Sequence, residues 1–217
     1  MPSSAPQPEQ LHLASDGRTP NSPHPVLIYR QLPLAGPSPA EAFERLFDSH
    51  LWPSAWRGTV YDYHHYHSTA HEALGVASGW ARVMLGGDNG QEVELKVGDA
   101  LVLPAGTGHC ALEASTDFQV VAGYPVGQQY DMQRPDAATH DQARERIAQV
   151  GVPISDPLAG CAGGAMARRG AAGRLSRVQL LSCARTMTCT QPMTCTQSMN
   201  CTCPSASEAT RARDSTR

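Results

Sequence analysis

The chain has few aromatic residues, and those it has are confined to its middle. All of the 3 Trp, 6 Tyr and 3 Phe lie between Tyr29 and Tyr130. Because large rings dominate the burial of apolar surface, we expect the core to lie within this span. No stretch approaches the roughly 20 apolar residues that cross a bilayer, and the first residues lack the basic start and apolar run of a secretory signal. These absences predict a soluble, cytoplasmic protein with no membrane partner.

Basic residues are scarce in the first 160 positions, which carry 9 Lys and Arg against 18 Asp and Glu. An acidic globular part lacks the broad positive face that binds phosphate backbones, so no nucleic-acid partner is expected. Cysteine is equally scarce there, because Cys110 precedes the other six, which start at Cys161. This distribution excludes a disulfide framework threaded through a small secreted domain. Cys110 itself is expected to be a buried, inert thiol.

Three segments can be distinguished along the chain. Residues 1–25, with repeated Pro, Ser and Asn, predict an extended N-terminal arm. Residues 26–160 carry the periodic apolar patterns of a domain with flanking helices. Residues 161–217 read as a low-complexity, disordered tail, in which a six-residue repeat covers residues 183–203. A Cys- and Met-rich site for Cu(I) or Zn is the alternative interpretation of that repeat.

One helix has clear start and stop signals. Ser38 can cap it, Pro39 suits its first position, and Glu41 completes a capping box. An apolar stripe of helical period begins at Phe43, and Pro53 prevents any extension. We expect this helix to lie against the outside of a sheet. A second helix is predicted from Asp136 to about Gln149.

The pattern between residues 59 and 124 indicates β-structure. Short runs of β-branched and aromatic residues are separated by glycine-rich turns, and residues 92–97 alternate strictly between charged and apolar. A first strand is expected through residues 60–66, and Val26–Tyr29 forms another short β-prone run. Several short strands at this spacing predict a sandwich or barrel rather than βαβ units.

The strongest chemical signal is a cluster of histidines followed by a carboxylate. Residues two apart on a strand point to the same face, so His65 and His67 can aim two imidazoles at one point. Glu72 can return to that point after a short bend, and His109 follows a segment bent by Pro104 and two glycines. Neutral imidazoles with one oxygen ligand suit Fe, Mn, Ni, Zn or Cu. The prediction is one divalent transition metal held by these four residues; ordinary hydrogen-bonded histidines are the alternative.

Four neighbouring residues are candidates for lining the pocket. Tyr61 and Tyr63 share strand parity with His65, although a plain core role fits them equally well. His64 and His71 are expected on the opposite side or at the pocket rim, with His64 the main rival for a ligand position. No further catalytic residue can be identified from the sequence.

These residues resemble the first motif of the cupin superfamily. That motif consists of a glycine, two histidines two positions apart, a glutamate and a closing glycine. His65, His67, Glu72 and Gly79 match its spacing, while Gly58 stands one position further upstream than the pattern asks. The resemblance implies that the first three are metal ligands.

The second cupin motif is similar to the stretch that ends in the third histidine. Gly98, Pro104, Gly106 and His109 match at every spacing. Glu113 replaces the final asparagine, either as a partner of the ligands or as a surface residue. The resemblance implies that His109 is the fourth ligand.

The segment from Trp52 to Gly127 is similar, more narrowly, to the poorly characterised YjlB-like cupins, and that resemblance extends over residues 16–160. It implies a mainly β fold: a single cupin double-stranded β-helix, or jelly-roll barrel, with a few flanking helices. The expected function is that of a metal-binding cupin acting on a small molecule of unknown identity, as a dioxygenase-like oxidoreductase. A metal-dependent isomerase or lyase, and a ligand-binding cupin without turnover, are the alternatives.

Cupin barrels commonly pair through exposed sheet edges, so the resemblance also implies a homodimer. The run Val26–Tyr29 is a candidate for a strand exchanged between the two chains.

Overall fold

Two antiparallel β-sheets and two helices form the regular structure of residues 7–161, the part of the chain that the computed structural model describes. The predicted tail and its six-residue repeat fall outside these residues, apart from Cys161. The elements are β1 (Glu9–Leu11), β2 (Val26–Tyr29), α1 (Pro39–Ser49), β3 (Ser54–Gly58), β4 (Glu72–Ser78), β5 (Trp80–Leu85), β6 (Gln91–Lys96), β7 (Ala100–Leu103), β8 (His109–Ala114), β9 (Gln119–Gly123) and α2 (His140–Gln149).

The strands form one larger and one smaller sheet. Six strands pair in the order β1-β2-β7-β4-β9-β3, and three pair in the order β6-β5-β8. All of these pairings are antiparallel. The prediction of a mainly β fold with a few flanking helices is therefore confirmed.

Alternate side chains of the larger sheet are buried in two different hydrophobic clusters, one on each face of the sheet. On β2, Val26 and Ile28 are buried in the interior cluster, which also holds residues of both sheets. Leu27 and Tyr29, which alternate with them, are buried on the other face, in a cluster that includes Phe43 of α1. Both faces of the central strands are thus covered, which is why these strands are apolar throughout rather than alternating with polar residues.

Helix α1 begins where its capping signal predicts. The Ser38 side chain accepts a hydrogen bond from the backbone N–H of Glu41 at 3.3 Å, with Pro39 at the first helical position. Phe43 of the apolar stripe is fully buried against the outer face of the larger sheet. At the contact with β4, a Cβ added to Gly75 would lie 2.4 Å from the Phe43 ring. The absence of a side chain at Gly75 therefore allows the helix to dock closely.

Helix α2 begins four residues later than predicted. Asp136 accepts a hydrogen bond from the backbone N–H of Ala138 at 2.9 Å, so its side chain stabilises a turn ahead of the helix. Thr139 occupies the N-cap position instead. Neither α1 nor α2 has the length and apolar character that would let it cross a membrane, and no other helix of residues 7–161 does either.

The strand predicted through residues 60–66 does not form. This segment has only isolated bridges, in which His65 pairs with His109 and Tyr66 pairs with Gln133. Its β-branched and aromatic residues favour a strand locally, but the chain here passes between separate partners instead of following one neighbour. Tertiary context overrides propensity at this point.

The segment predicted as a free N-terminal arm packs on the domain instead. β1 pairs with β2, with Glu9 opposite Ile28. Further along, the buried Asn21 side chain donates to the carbonyl of Gly86 at 2.9 Å and accepts from the N–H of Gly108 at 3.2 Å. These hydrogen bonds attach the segment to the loops that precede β6 and β8, so the domain begins well before residue 26.

Strand β2 is paired on both sides with strands of its own chain. It pairs with β7 of its own chain, with Leu27 opposite Val102, and with β1 on its other side. The exchange of Val26–Tyr29 between two chains stays a prediction, because the structure describes a single chain. The homodimer itself stays a prediction, which light scattering at micromolar concentration would test.

Candidate metal centre

Three histidines and one glutamate converge inside the barrel. His65 and His67 lie between β3 and β4, and His109 begins β8; each offers one ring nitrogen, and these atoms lie within 4.8 Å of one another. Glu72 begins β4, and its Oε2 is 3.4 Å from Nε2 of both His67 and His109. All four side chains are buried. The structure thus brings together the four residues that the sequence singles out as ligands.

The hydrogen bonds of the histidines fix which ring nitrogen faces inward. In each ring Nδ1 lies at a backbone carbonyl, which can only accept, so Nδ1 carries the hydrogen and Nε2 has a free lone pair. The carbonyls belong to Tyr63 for His65 at 3.3 Å, to Asp131 for His67, and to Thr107 for His109 at 3.0 Å. This arrangement is typical of metal-ligating histidines.

Glu72 has one satisfied and one unsatisfied oxygen. Its Oε1 accepts a hydrogen bond from the Tyr124 hydroxyl at 2.6 Å. Its Oε2 faces His67 and His109, is fully buried, and accepts no hydrogen bond from the described residues. A buried carboxylate oxygen without a partner is unfavourable unless a cation compensates it. The site therefore fits a divalent metal ion.

The charge states of the ligands near neutral pH also suit a cation. Burial alone would raise the pKa of Glu72, but the nearby His67 and His109 imidazoles and the Tyr124 hydroxyl lower it to about 2. Burial lowers the pKa of His109 to about 3 and also lowers that of His65. Burial alone would lower the pKa of His67, but the Glu72 carboxylate together with the Asp131 carbonyl and carboxylate raises it. An anionic carboxylate beside the neutral imidazoles of His65 and His109 is the ligand state that metals bind.

A tight turn presents His109 to the site. Gly106 has a φ of +93°, and a Cβ there would meet Ile147 Cδ1 at 2.6 Å and the Asn21 carbonyl at 2.8 Å. Its N–H donates to the carbonyl of His67 at 2.8 Å. Only glycine combines this backbone conformation with so little space, so the second motif couples the positions of His67 and His109.

Glu113, where the second motif departs from the pattern, lies away from the ligands. It stands on β8 opposite Arg82 of β5. Its carboxylate is exposed and lies 3.2 Å from the Arg82 guanidinium. Of the two alternatives that the sequence leaves open for Glu113, the structure favours a surface residue.

A cavity of about 450 Å³ opens beside the four residues. Tyr61, one of the pocket candidates, lines it and is 46% exposed at its mouth, as is Tyr130. Tyr124 stacks on Tyr130 with ring centroids 4.2 Å apart. Trp56, Met132 and Leu74 contribute further to the wall. The cavity can therefore hold a small molecule next to the ligand atoms.

Tyr63 and His64, two of the candidates for lining the pocket, do not line this cavity; for His64 the opposite side is one of the two positions that the sequence leaves open. Tyr63 stacks on Tyr61 with centroids 4.8 Å apart, behind the wall. The His64 ring points the other way, with Nε2 3.5 Å from Cys110 Sγ and 3.6 Å from Asp88. Neighbouring residues of an extended segment face opposite sides, which separates His64 from the ligands. Cys110 is buried there, as expected.

His71 also lies outside the metal cavity, on the opposite side that the sequence leaves open for it. It is buried, and its Nδ1 accepts a hydrogen bond from the backbone N–H of Ala105 at 3.0 Å. Because it precedes Glu72 on the extended chain, its side chain points away from the ligands. The hydrogen of the neutral ring is therefore on Nε2.

Burial of His71 predicts a loss of stability in acid. It lowers the pKa of His71 from 6.5 to about 4, so the unfolded chain binds a proton at a higher pH than the folded chain. The contribution of His71 to the free energy of unfolding is complete above pH 6.5. It falls by up to about 3 kcal/mol as the pH drops towards 4. In metal-free protein, the wild type should therefore lose its advantage over His71→Asn on acidification. Urea unfolding at several pH values measures this, and a constant difference in unfolding free energy would contradict it.

Several residues of the site are not among those that the sequence predicts. Tyr124 follows the inward-facing residues Val120 and Ala122 on β9, so strand parity could have indicated it. Trp56 lines the cavity and donates to the Tyr124 hydroxyl at 3.1 Å. For the Asp131 carbonyl no local signal exists, because its contact with His67 spans 64 positions.

Comparisons with known proteins show the family of the chain. The cupin domain family model matches residues 51–122. The uncharacterized protein YjlB of Bacillus subtilis (strain 168) is 41% identical over 145 residues, covering 67% of this chain and 86% of that protein. Among solved structures, a DUF861 family protein from Thermotoga maritima has 21% identity and a TM-score of 0.30, over 46% of this chain and 98% of its own. Procruciferin, an 11S globulin from Brassica napus, has 17% identity and a TM-score of 0.30, over 44% of this chain and 31% of its own.

Proposed function

The chain belongs to the cupin superfamily, among the YjlB-like proteins, and on this premise we propose that it binds one divalent transition metal and oxidises a small molecule beside it. One observation carries the proposal. Three buried histidines each offer a ring nitrogen within 4.8 Å of the others, and a buried Glu72 oxygen that accepts no hydrogen bond from residues 7–161 lies 3.4 Å from Nε2 of His67 and of His109. Imidazole and carboxylate ligands of this kind suit Fe, Mn, Ni, Zn or Cu.

When bound, such an ion would supply Lewis-acid or redox chemistry at the cavity wall. His65, His67, His109 and Glu72 would hold it, and three backbone carbonyls keep the imidazoles in the ligating tautomer. Tyr124 orients Glu72 through its hydroxyl. Tyr61 and the Tyr124–Tyr130 stack provide flat surfaces that can orient a substrate and exclude water from the ligands.

The cavity wall favours oxidation over proton-transfer chemistry. Apart from the four ligands, its described residues are phenols, apolar groups, small residues and Arg57. Arg57 is held by Glu44 in a bidentate pair, with distances of 2.6 and 2.7 Å. An isomerase or lyase needs a general base close to the substrate, and among these lining residues no free carboxylate or imidazole fills that role. Chemistry centred on the metal is therefore the better supported function.

Oxygen uptake by protein loaded with defined metals tests this proposal. Metal-free protein would be reconstituted with Fe(II), Mn(II) or Zn(II) and supplied with a panel of enols and thiols. We expect uptake with a redox-active ion and none with Zn(II). Equal turnover with Zn(II) would indicate an isomerase or lyase instead. Tight binding of a panel compound without any product, whatever the metal, would indicate a ligand-binding cupin.

Removal of the Tyr124 hydroxyl is expected to weaken metal binding without abolishing it. Tyr124→Phe keeps the ring stack but leaves Glu72 Oε1 without its hydrogen bond. Loss of a partner that orients a ligand costs about 10-fold to 100-fold in metal affinity. Competition with a chromophoric chelator measures the change. Tyr61→Phe, at the mouth of the same cavity, is the matched control, and equal affinities of the two variants would contradict the role of Tyr124.

A further inference from the structure

A second cavity, of about 600 Å³, lies between α2 and the N-terminal segment. It is lined by Leu13, Ser15 and residues 20–24 on one side and by His140, Arg144 and Ile147 of α2 on another, with His71 among its other lining residues. It has no lining residue in common with the metal cavity. The two cavities are therefore separate sites in the described part of the chain.

His71 brings an unpaired hydrogen-bond donor to this cavity. Its ring is 98% buried, and Nδ1 is occupied by the N–H of Ala105. Nε2, which carries the hydrogen, makes no hydrogen bond within residues 7–161. The nearby Gly151 carbonyl accepts from the Gln128 side chain at 2.8 Å and forms no hydrogen bond of normal geometry with His71 Nε2. A buried N–H without an acceptor is rare in folded proteins, which points to an acceptor that binds from outside the chain.

The charges around the cavity indicate an anion. Arg144 forms no ion pair with the rest of residues 7–161, and His24 adds a second imidazole. His140 is already engaged, with Ser15 at 2.7 Å and Asp141 at 2.9 Å. The described lining residues include no carboxylate. The Arg144 guanidinium at the rim and the buried His71 Nε2–H are two donors that can together hold one carboxylate.

The remaining wall is apolar. Leu13 of the N-terminal segment, Ile147 of α2 and Val150 beyond its end face the cavity, and Ala105 closes it beside His71. Such a wall would bind the hydrocarbon part of a ligand through burial of apolar surface.

We propose that this cavity is a second binding site, for a small aliphatic carboxylate whose anionic group contacts His71 Nε2–H and Arg144 and whose apolar part packs on Leu13, Ile147 and Val150. It is independent of the metal chemistry proposed for the first cavity.

Hexanoate is the probe that tests the proposal, using full-length, metal-loaded protein. Calorimetry and the NMR signals of the histidine rings should show saturable binding with a dissociation constant of about 1 mM. Hexan-1-ol, which has the same chain without the charge, should bind at least tenfold more weakly, because hydrogen bonds to charged groups are the stronger ones. Equal binding of the alcohol would overturn the anion assignment. Binding of inorganic phosphate in preference to hexanoate would overturn the carboxylate assignment.

Two variants, Arg144→Gln and His71→Asn, test whether hexanoate binds in this cavity. Arg144→Gln changes an exposed residue and should weaken hexanoate binding about tenfold, while Arg82→Gln, with the same change of charge on β5, should leave it unchanged. His71→Asn removes the internal donor and should weaken binding further; Arg144→Gln decides the outcome if that variant does not fold. Unchanged affinity in Arg144→Gln would overturn the proposal. Loss of hexanoate binding in His67→Ala would also overturn the proposal, because binding in this cavity would then depend on the metal centre.

Discussion

His67→Ala should yield protein with almost no bound metal, where the wild type carries about one ion per chain. The substitution removes one of four ligands and leaves the buried Glu72 Oε2 facing His109 alone at 3.4 Å. It also frees the Asp131 carbonyl, which accepts from His67 Nδ1. Because a ligand rather than its supporting partner is lost, the affinity should fall by more than the roughly 10-fold to 100-fold cost of a supporting contact. Elemental analysis after dialysis measures the metal content, and oxygen uptake should disappear with it.

His64→Ala is the matched control, because His64 lies in the same run of histidines but faces Cys110 and Asp88. It should retain the full metal content. If His64→Ala lost the ion and His67→Ala kept it, the assignment of the ligands would be wrong. If both lost it, the cause would be misfolding of the segment, which circular dichroism would show.

Trp52→Ala is expected to have the largest effect on folding. Trp52 is fully buried between α1 and the larger sheet. Its indole N–H donates to the carbonyl of Ser155 at 2.9 Å, so the substitution leaves a large cavity and an unpaired buried acceptor. Substitutions of this kind cost about 3–5 kcal/mol, a large fraction of the stability of a typical domain. Urea unfolding of metal-free protein measures the loss.

Trp80→Ala provides the comparison for Trp52, since Trp80 on β5 is 40% exposed. Its loss should cost less than about 1 kcal/mol, in the range of surface substitutions. A cost for Trp52→Ala close to that of Trp80→Ala would show that the contact between α1 and the sheet contributes little to stability.

The features that the sequence predicts well depend on short-range geometry. The cap of α1 involves Ser38 and Glu41, three positions apart. The two histidines that face one point, His65 and His67, are two apart, and the turn before His109 requires a glycine at 106 for steric reasons. In each case the physical cause lies within a few residues, so the pattern of residues contains it.

The features that it predicts poorly depend on distant partners. The carboxylate of Glu72 is oriented by Tyr124, 52 positions away; strand parity puts that phenol on the inner face of the sheet, but no local pattern pairs it with Glu72. The segment 60–66 has the composition of a strand, but its pairing is decided by His109 and Gln133. The N-terminal segment has the composition of a free arm, yet Asn21 binds the loops at Gly86 and Gly108. Composition describes local preference, whereas these contacts are settled by the assembled barrel.

Strand β4 serves two parts of the molecule at once. Its residue Glu72 faces the ligand cluster, while Ala73 and Gly75 face α1, where Phe43 fills the space that a side chain at Gly75 would occupy. The outer helix and the inner carboxylate are thus separated by the thickness of one backbone. A shift of α1 against the sheet would move the same peptide units that position the Glu72 carboxylate relative to the imidazoles, so the arrangement of the proposed ligands depends on packing outside the barrel as well as inside it.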